Sequence, residues 1–290
     1  MNPHAKGLVA CASRSFIQNQ PAVCWLNSRL QMKVREFPMP EEPPLVTLDN
    51  VRKTFGDVVA LNRVSAVIDR HTSTALIGGN GAGKTTLLRI LAGVYRPSEG
   101  TATFADGDLT KHRRRIGVMT ESTGLHVRLS AWENIRFHAR LFGIEDEEAR
   151  MKSESLAVQL GLGAALDRRT EGFSRGMRQK TALIRALVHE PELLLLDEPT
   201  AGLDITSARA VRALIETLVD EGRGVVWSTH DLSAATVCDR AMVMHNGNLV
   251  GDGSVTGLLR EHDAESLEAL YLMLSDEATP EFKAGMGAIE

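Results

Sequence analysis

The sequence predicts an α/β fold with a mainly parallel central sheet. Two apolar runs of strand length, Leu193 to Leu196 and Val225 to Ser228, suit strands buried on both faces. Segments of helical character alternate with the strands, as parallel connections require. A glycine-rich stretch at residues 78–85 stands between a predicted strand and a predicted helix.

Residues 1–44 carry five basic and three acidic side chains and show no clean period. They end in four prolines, Pro38, Pro40, Pro43 and Pro44, which oppose helix and central strand. The segment reads as a poorly ordered extension. Leu8-Val9-Ala10-Cys11 resembles a lipoprotein cleavage box, but no apolar region precedes it. Met32 and Met39 leave the true start open. From Leu45 the pattern turns regular. Leu45 to Leu48 and Val64 to Ile68 alternate like half-buried strands. Thr72 to Ile77 reads as a strand entering the glycine-rich loop, and Thr85 to Ala92 as the helix after it. Ser130, with Glu133 three residues on, forms a capping-box pattern for a helix over Ala131 to Phe142. Asn246-Gly247 between apolar flanks signals a hairpin. Residues 256–290 hold eight acidic and two basic side chains and read as an acidic helical tail. The stretch 45–255 is left neutral and reads as one large domain.

Composition narrows the function classes. The chain has 290 residues, 43% hydrophobic and 24% charged, which suits a globular protein. No apolar run reaches the length of a membrane span. Cys11, Cys24 and Cys238 are too few for a disulfide framework or zinc site and suggest a reducing compartment. A net charge of −4 argues against a general nucleic-acid binder.

Gly78-Gly79-Asn80-Gly81-Ala82-Gly83-Lys84-Thr85, followed by Thr86, fits the GxxxxGK[ST] phosphate loop. Its glycines let backbone N–H groups converge on phosphate oxygens, and the following helix adds its positive end. Lys84 would reach the β- and γ-phosphates and Thr85 would ligate Mg²⁺. Asp197 and Glu198 end the four-leucine run. Adjacent side chains at a strand end point differently, so one carboxylate can hold Mg²⁺ while the other takes a proton from attacking water.

Between these motifs lies Gly172-Phe173-Ser174-Arg175-Gly176-Met177-Arg178-Gln179, which resembles the signature of ATP-binding cassette (ABC) ATPases. Pro199 to Asp204 resembles that family's D-loop, and Ser228-Thr229-His230-Asp231 its switch histidine. The order fits, with 90 residues from Lys84 to Ser174, 23 more to Asp197, and 32 from Glu198 to His230. The resemblance covers roughly residues 45–255. It implies a P-loop NTPase fold with an antiparallel β subdomain and an inserted helical subdomain near residues 120–178. It also implies that Phe55 stacks on adenine, and that Ser174 and Gly176 contact ATP bound to an opposite subunit. Glu198 would be the base, His230 would orient it, and Asp204 would support the dimer interface. Two departures stand out. Arg175 replaces a common glycine, and Glu121 stands where a glutamine is usual. A carboxylate at Glu121 can still ligate Mg²⁺, but cannot donate a hydrogen bond when ionised.

As implied by the resemblance, the chain is the ATP-binding and ATP-hydrolysing subunit of a transporter. It would act as a head-to-tail homodimer with ATP and Mg²⁺ at the interface, on separate integral membrane subunits at the cytoplasmic face. The contact would fall near residues 121–142. The Ser174 to Met177 signature, Glu121 and the stretch Ser266 to Leu272 lean toward export. Rival readings are a soluble ABC ATPase serving a non-transport machine and a module that uses ATP only as glue. Lys111, Arg113, Arg114 and Arg115 read as a solvated basic run, and Trp132 as packing in the helical subdomain.

Overall fold

The computed structural model describes residues 43–286, with side chains to residue 276. The expected extension over residues 1–44 lies outside the described residues except for its last two. The described chain opens with β1 (Val46–Phe55), β2 (Val58–Ile68), β3 (Thr72–Gly78), α1 (Lys84–Leu91), β4 (Glu99–Phe104), β5 (Gly107–Asp108) and β6 (Ile116–Met119). Helices α2 (Ala131–Leu141), α3 (Asp146–Gln159) and α4 (Arg175–Leu187) follow. The rest comprises β7 (Leu193–Asp197), α5 (Ile205–Asp220), β8 (Gly224–Thr229), α6 (Leu232–Ala235), β9 (Arg240–His245), β10 (Asn248–Ser254), α7 (Val255–Glu261) and α8 (Leu267–Met286).

Six strands form the central sheet in the order β10-β9-β3-β8-β7-β6, parallel except for β10. A second, antiparallel sheet has the order β2-β1-β4-β5. The leucines of β7 show why a parallel core strand reads as an unbroken apolar run. Leu193 and Leu195 face the core shared with α1 and the antiparallel sheet, whereas Leu194 and Leu196 face the core shared with α4 and α5. Both faces are buried, so neither can be polar.

Local signals set several boundaries. Ser130 and Glu133 form the full capping box at the start of α2. Asn246 and Gly247 both have positive φ, 47° and 79°, and join β9 to β10 as the hairpin pattern requires. Strands β1 and β2 run longer than their alternation suggests. Pairing shifts register after Leu48, where Asn50 turns to φ 49°, so the period breaks while the strand continues. At the other end of the chain, Val255, Leu258, Leu267, Leu270 and Leu274 pack into the main core.

The basic run is more than solvated charge. Arg113 donates to the carbonyl of Gly93, and Arg114 to that of Phe142 at 2.7 Å. Arg115 forms a two-point ion pair with Glu192, the second bond 2.8 Å long, and also reaches Asp106 at 2.9 Å. Arg70 donates to Glu192 at 2.6 Å. These residues fix the amino ends of β6 and β7. The Arg115 bonds, helped by Arg70, hold the Glu192 carboxyl down to about 2, against an ordinary 4.5. A carboxyl depressed on folding stabilises above its unfolded value and loses that contribution as pH falls through its folded value. Glu192→Gln is therefore expected to be less stable than wild type at neutral pH. In urea melts the gap should close as pH falls from about 4.5 toward 2.

Candidate functional site

The phosphate loop leaves β3 at the carboxyl edge of the parallel sheet, where ligands bind in open α/β folds. Gly83, at φ 105°, caps α1, and a Cβ there would lie 2.8 Å from the carbonyl oxygen of Ala60. Only glycine fits that turn. Around it, Gly78, Gly79, Asn80, Gly81, Ala82, Lys84, Thr85 and Thr86 form the predicted loop and first turn of α1. The loop is closed by bonds from Ala82 N to Gly79 O at 3.2 Å and from Gly247 N to Ala82 O at 3.1 Å. The Lys84 ammonium donates to the carbonyls of Gly78 and Gly79 at 2.7 and 3.1 Å. Burial pushes its pKa down, opposed by the fields of Glu198 and Asp197. Lys84 thus lies within electrostatic reach of both carboxylates at the end of β7.

Asp197 and Ser228 are partners in the β7–β8 register, and the Ser228 hydroxyl donates to the Asp197 carboxylate. Thr85, Glu121 and Asp197 line one cavity of about 420 Å³. Their donors are all oxygen, which suits a hard divalent cation. No cluster of three or more His, Cys, Asp or Glu side chains able to hold a metal occurs among the described residues. Any cation there needs water or phosphate oxygens to complete its shell.

Glu198 takes a left-handed backbone, φ 52°, and its carboxylate has a different partner from that of Asp197. Its N–H donates to the Ser228 carbonyl at 3.1 Å. Its carboxylate is 14% exposed and lies 2.7 Å from Nδ1 of His230, whose side chain is 70% exposed. An ionised carboxylate only accepts, so Nδ1 carries the proton in that bond. Gln179, buried on α4, donates to the Glu198 carbonyl at 3.3 Å. It lies within the signature stretch, yet its role was not legible there because it reaches Glu198 through tertiary packing.

Phe55 is 45% exposed, against a core assignment. Tyr95 meets it edge-on at 5.4 Å, and the Lys53 ammonium lies 5.1 Å from its ring centre. Tyr95 belongs to no motif, and packing alone sets its place beside Phe55. Ser174 caps α4 by accepting from Met177 N at 3.2 Å. A Cβ on Gly176 would lie 3.0 Å from Leu203, and one on Gly202 would lie 3.0 Å from Arg175. Asp204 caps α5 through Ser207 N and Oγ at 2.9 and 2.7 Å. The signature and D-loop therefore pack on each other. Among the described residues, no hydrogen bond or ion pair joins Ser174, Gly176 or Asp204 to the phosphate loop of the same chain.

A family model described as ABC transporter matches residues 61–201. Over 238 residues the chain is 36% identical to the ABC transporter ATP-binding protein NatA of Bacillus subtilis, covering 79% of this chain and 97% of that one. The chain belongs to the ABC transporter family. It is the ATP-binding subunit of such a transporter and an ATPase of the ABC type. This ABC protein is also 37% identical to the Fe(3+) ions import ATP-binding protein FbpC of Agrobacterium fabrum, over 73% of its own length and 62% of that relative's. It is 32% identical to the Nod factor export ATP-binding protein I of Bradyrhizobium diazoefficiens, over 78% and 76%. A solved dimeric ATP-binding cassette, in a post-hydrolysis state bound to ADP and Pi, matches with a TM-score of 0.66 at 28% identity, over 72% of this chain and 98% of that one. Cassettes of this family bind ATP, dimerise and work with membrane subunits. No helix among the described residues is long and apolar enough to cross a membrane.

Lys84→Ala removes the ammonium bonded to the loop carbonyls of Gly78 and Gly79. ATP affinity, measured by calorimetric titration, should fall at least about tenfold, as loss of a charge-assisted contact predicts.

Proposed function

We propose that this subunit hydrolyses ATP at the interface of a head-to-tail homodimer and so drives export through separate integral membrane subunits. The observation that carries the reading is the set of groups at one sheet edge. Lys84 lies in the fields of Asp197 and Glu198, and Glu198 is bonded to His230.

In this reading the loop amides and Lys84 bind the β- and γ-phosphates, and Phe55 stacks on adenine. Glu198 takes the proton from the attacking water, and His230 Nδ1–H fixes the carboxylate that receives it. Thr85, Asp197 and Glu121 would hold Mg²⁺, which when bound neutralises charge on the phosphates. Ser174 and Gly176, which make no hydrogen bond to their own chain's loop among the described residues, serve the ATP of the opposite subunit. Ser174 keeps its hydroxyl hydrogen free to donate while its oxygen caps α4. The amino end of α4 adds favourable potential for an anion. Asp204 holds the D-loop at the interface. The negative net charge gives no basis for nucleic-acid binding.

The membrane contact is assigned to a groove of about 490 Å³ lined by Arg128, Ser130, Trp132, Glu133, Arg136 and Arg169. The Arg185 guanidinium donates to Thr123 O at 2.7 Å and Gly124 O at 3.1 Å, which ties α4 to the loop after Glu121. Those bonds join α4 to the segment that leads from Glu121 toward the groove. Export is favoured by the Ser174 to Met177 signature, Glu121 and the C-terminal Leu267-Glu268 helix, which resemble exporters with separately encoded membrane subunits. A peripheral position at the cytoplasmic face follows from that assembly.

Fractionation of cells carrying a tagged full-length chain tests the reading. The subunit should sediment with membranes and co-purify in mild detergent with a polytopic membrane protein that raises its ATPase rate. Co-sedimentation with ribosomes and no membrane partner would favour a soluble ABC ATPase instead.

A further inference from the structure

Helix α8 returns to the site from the far end of the chain. Its residues Leu267, Leu270 and Leu274 are 2%, 0% and 5% exposed and join the main core. Helical spacing then puts Tyr271 at the margin of that apolar face. Its phenol oxygen accepts a hydrogen bond from Gly79 N–H at 3.0 Å, across 192 residues of sequence.

Two glycines shape the seat. Neither Gly79 nor Gly251 has positive φ, so neither is demanded by its backbone. A Cβ on Gly79 would lie 3.1 Å from the Tyr271 oxygen, and one on Gly251 would lie 2.9 Å from Leu274 Cδ1. Both positions give α8 room to approach.

The bond falls on a particular peptide unit. The Gly79 N–H and the Gly78 C=O belong to the same plane. Tyr271 holds its N–H end, and Lys84 donates to its C=O end at 2.7 Å. When Lys84 turns to a phosphate, it leaves that carbonyl, and Tyr271 holds the peptide alongside the pairing of Gly78 with Met244 of β9. We infer that Tyr271 is a positioning residue that locks the Gly78–Gly79 peptide from the C-terminal helix and keeps the phosphate loop in its binding shape. The inference rests on residues 78–85 binding the phosphates.

The test uses the full chain, with ATP affinity by calorimetry and steady-state ATPase. Tyr271→Phe keeps the ring and removes the oxygen. The dissociation constant and KM for ATP should rise about three- to tenfold, as loss of one hydrogen bond predicts, with kcat within about twofold. Gly79→Ala sets a methyl against the same oxygen and should weaken ATP binding too. In Tyr271→Phe that oxygen is gone, so the double variant should bind no worse than Gly79→Ala alone. Amide exchange in the ATP-free protein should quicken over residues 75–87 and stay unchanged over 267–276. Wild-type ATP affinity in Tyr271→Phe, or independent multiplication of the two losses, would overturn the inference. So would faster exchange in α8 with a lowered melting temperature, which would mark the tyrosine as packing only. Lys84→Ala separates the two levels. If it binds ATP normally, the phosphate-loop reading itself fails, whereas loss there with a silent Tyr271→Phe removes only the tether.

Discussion

The parallel pairing of β7 with β8 sets Asp197 opposite Ser228, and that register decides which side chains meet at the carboxyl edge of the sheet. A slip of one residue would exchange Leu193 and Leu195 with Leu194 and Leu196 between the two cores. It would also part Asp197 from the Ser228 hydroxyl and Glu198 N–H from the Ser228 carbonyl. Four buried leucines, each worth about 1.5–3 kcal/mol, hold β7 in the sheet. Against this stands the left-handed backbone of Glu198, a cost of order 1–3 kcal/mol. Strand burial outweighs the local strain, so the sheet can hold a carboxylate in a conformation that an isolated loop would abandon.

Much of this edge was legible in the sequence because its signals are local. The phosphate loop, the apolar run ending in two acids, the Ser130–Glu133 box and the Asn246-Gly247 hairpin each depend on residues a few positions apart. The spacing of the four motifs carried the family. What stayed hidden depends on packing between distant segments. The bulges in β1 and β2 break the alternation that would have revealed their full length. Arg115 looked like a solvated cation because its partner Glu192 lies 77 residues away. Gln179, Tyr95 and Tyr271 make contacts that no short pattern encodes. The strained φ of Glu198 is likewise set by its neighbours in the sheet, not by any preference of glutamate.

The proposed dimer rests on how the motif residues are divided within one chain. Lys84, Thr85, Asp197, Glu198 and His230 gather on one edge, while Ser174, Gly176 and Asp204 form a separate unit packed on the D-loop. Each unit is well bonded internally, so no small rearrangement is needed to preserve it. In the proposed dimer, joining them across two copies would supply the missing half of each site and place ATP between the halves. Charge follows the same division. Along the sequence the acidic excess falls in residues 256–290 while residues 45–255 are formally neutral, so the net charge comes from the C-terminal segment and not from the stretch that carries the motifs.

The account turns on Glu198 as the group that accepts the proton from water while leaving nucleotide binding to the loop. Single-turnover hydrolysis by Glu198→Gln, followed together with the dimer fraction by light scattering in ATP, tests this most directly. The account predicts that ATP affinity is retained, hydrolysis drops by at least about a hundredfold, as loss of a general base entails, and a stable ATP-bound dimer accumulates. Hydrolysis at the wild-type rate with no trapped dimer would contradict it.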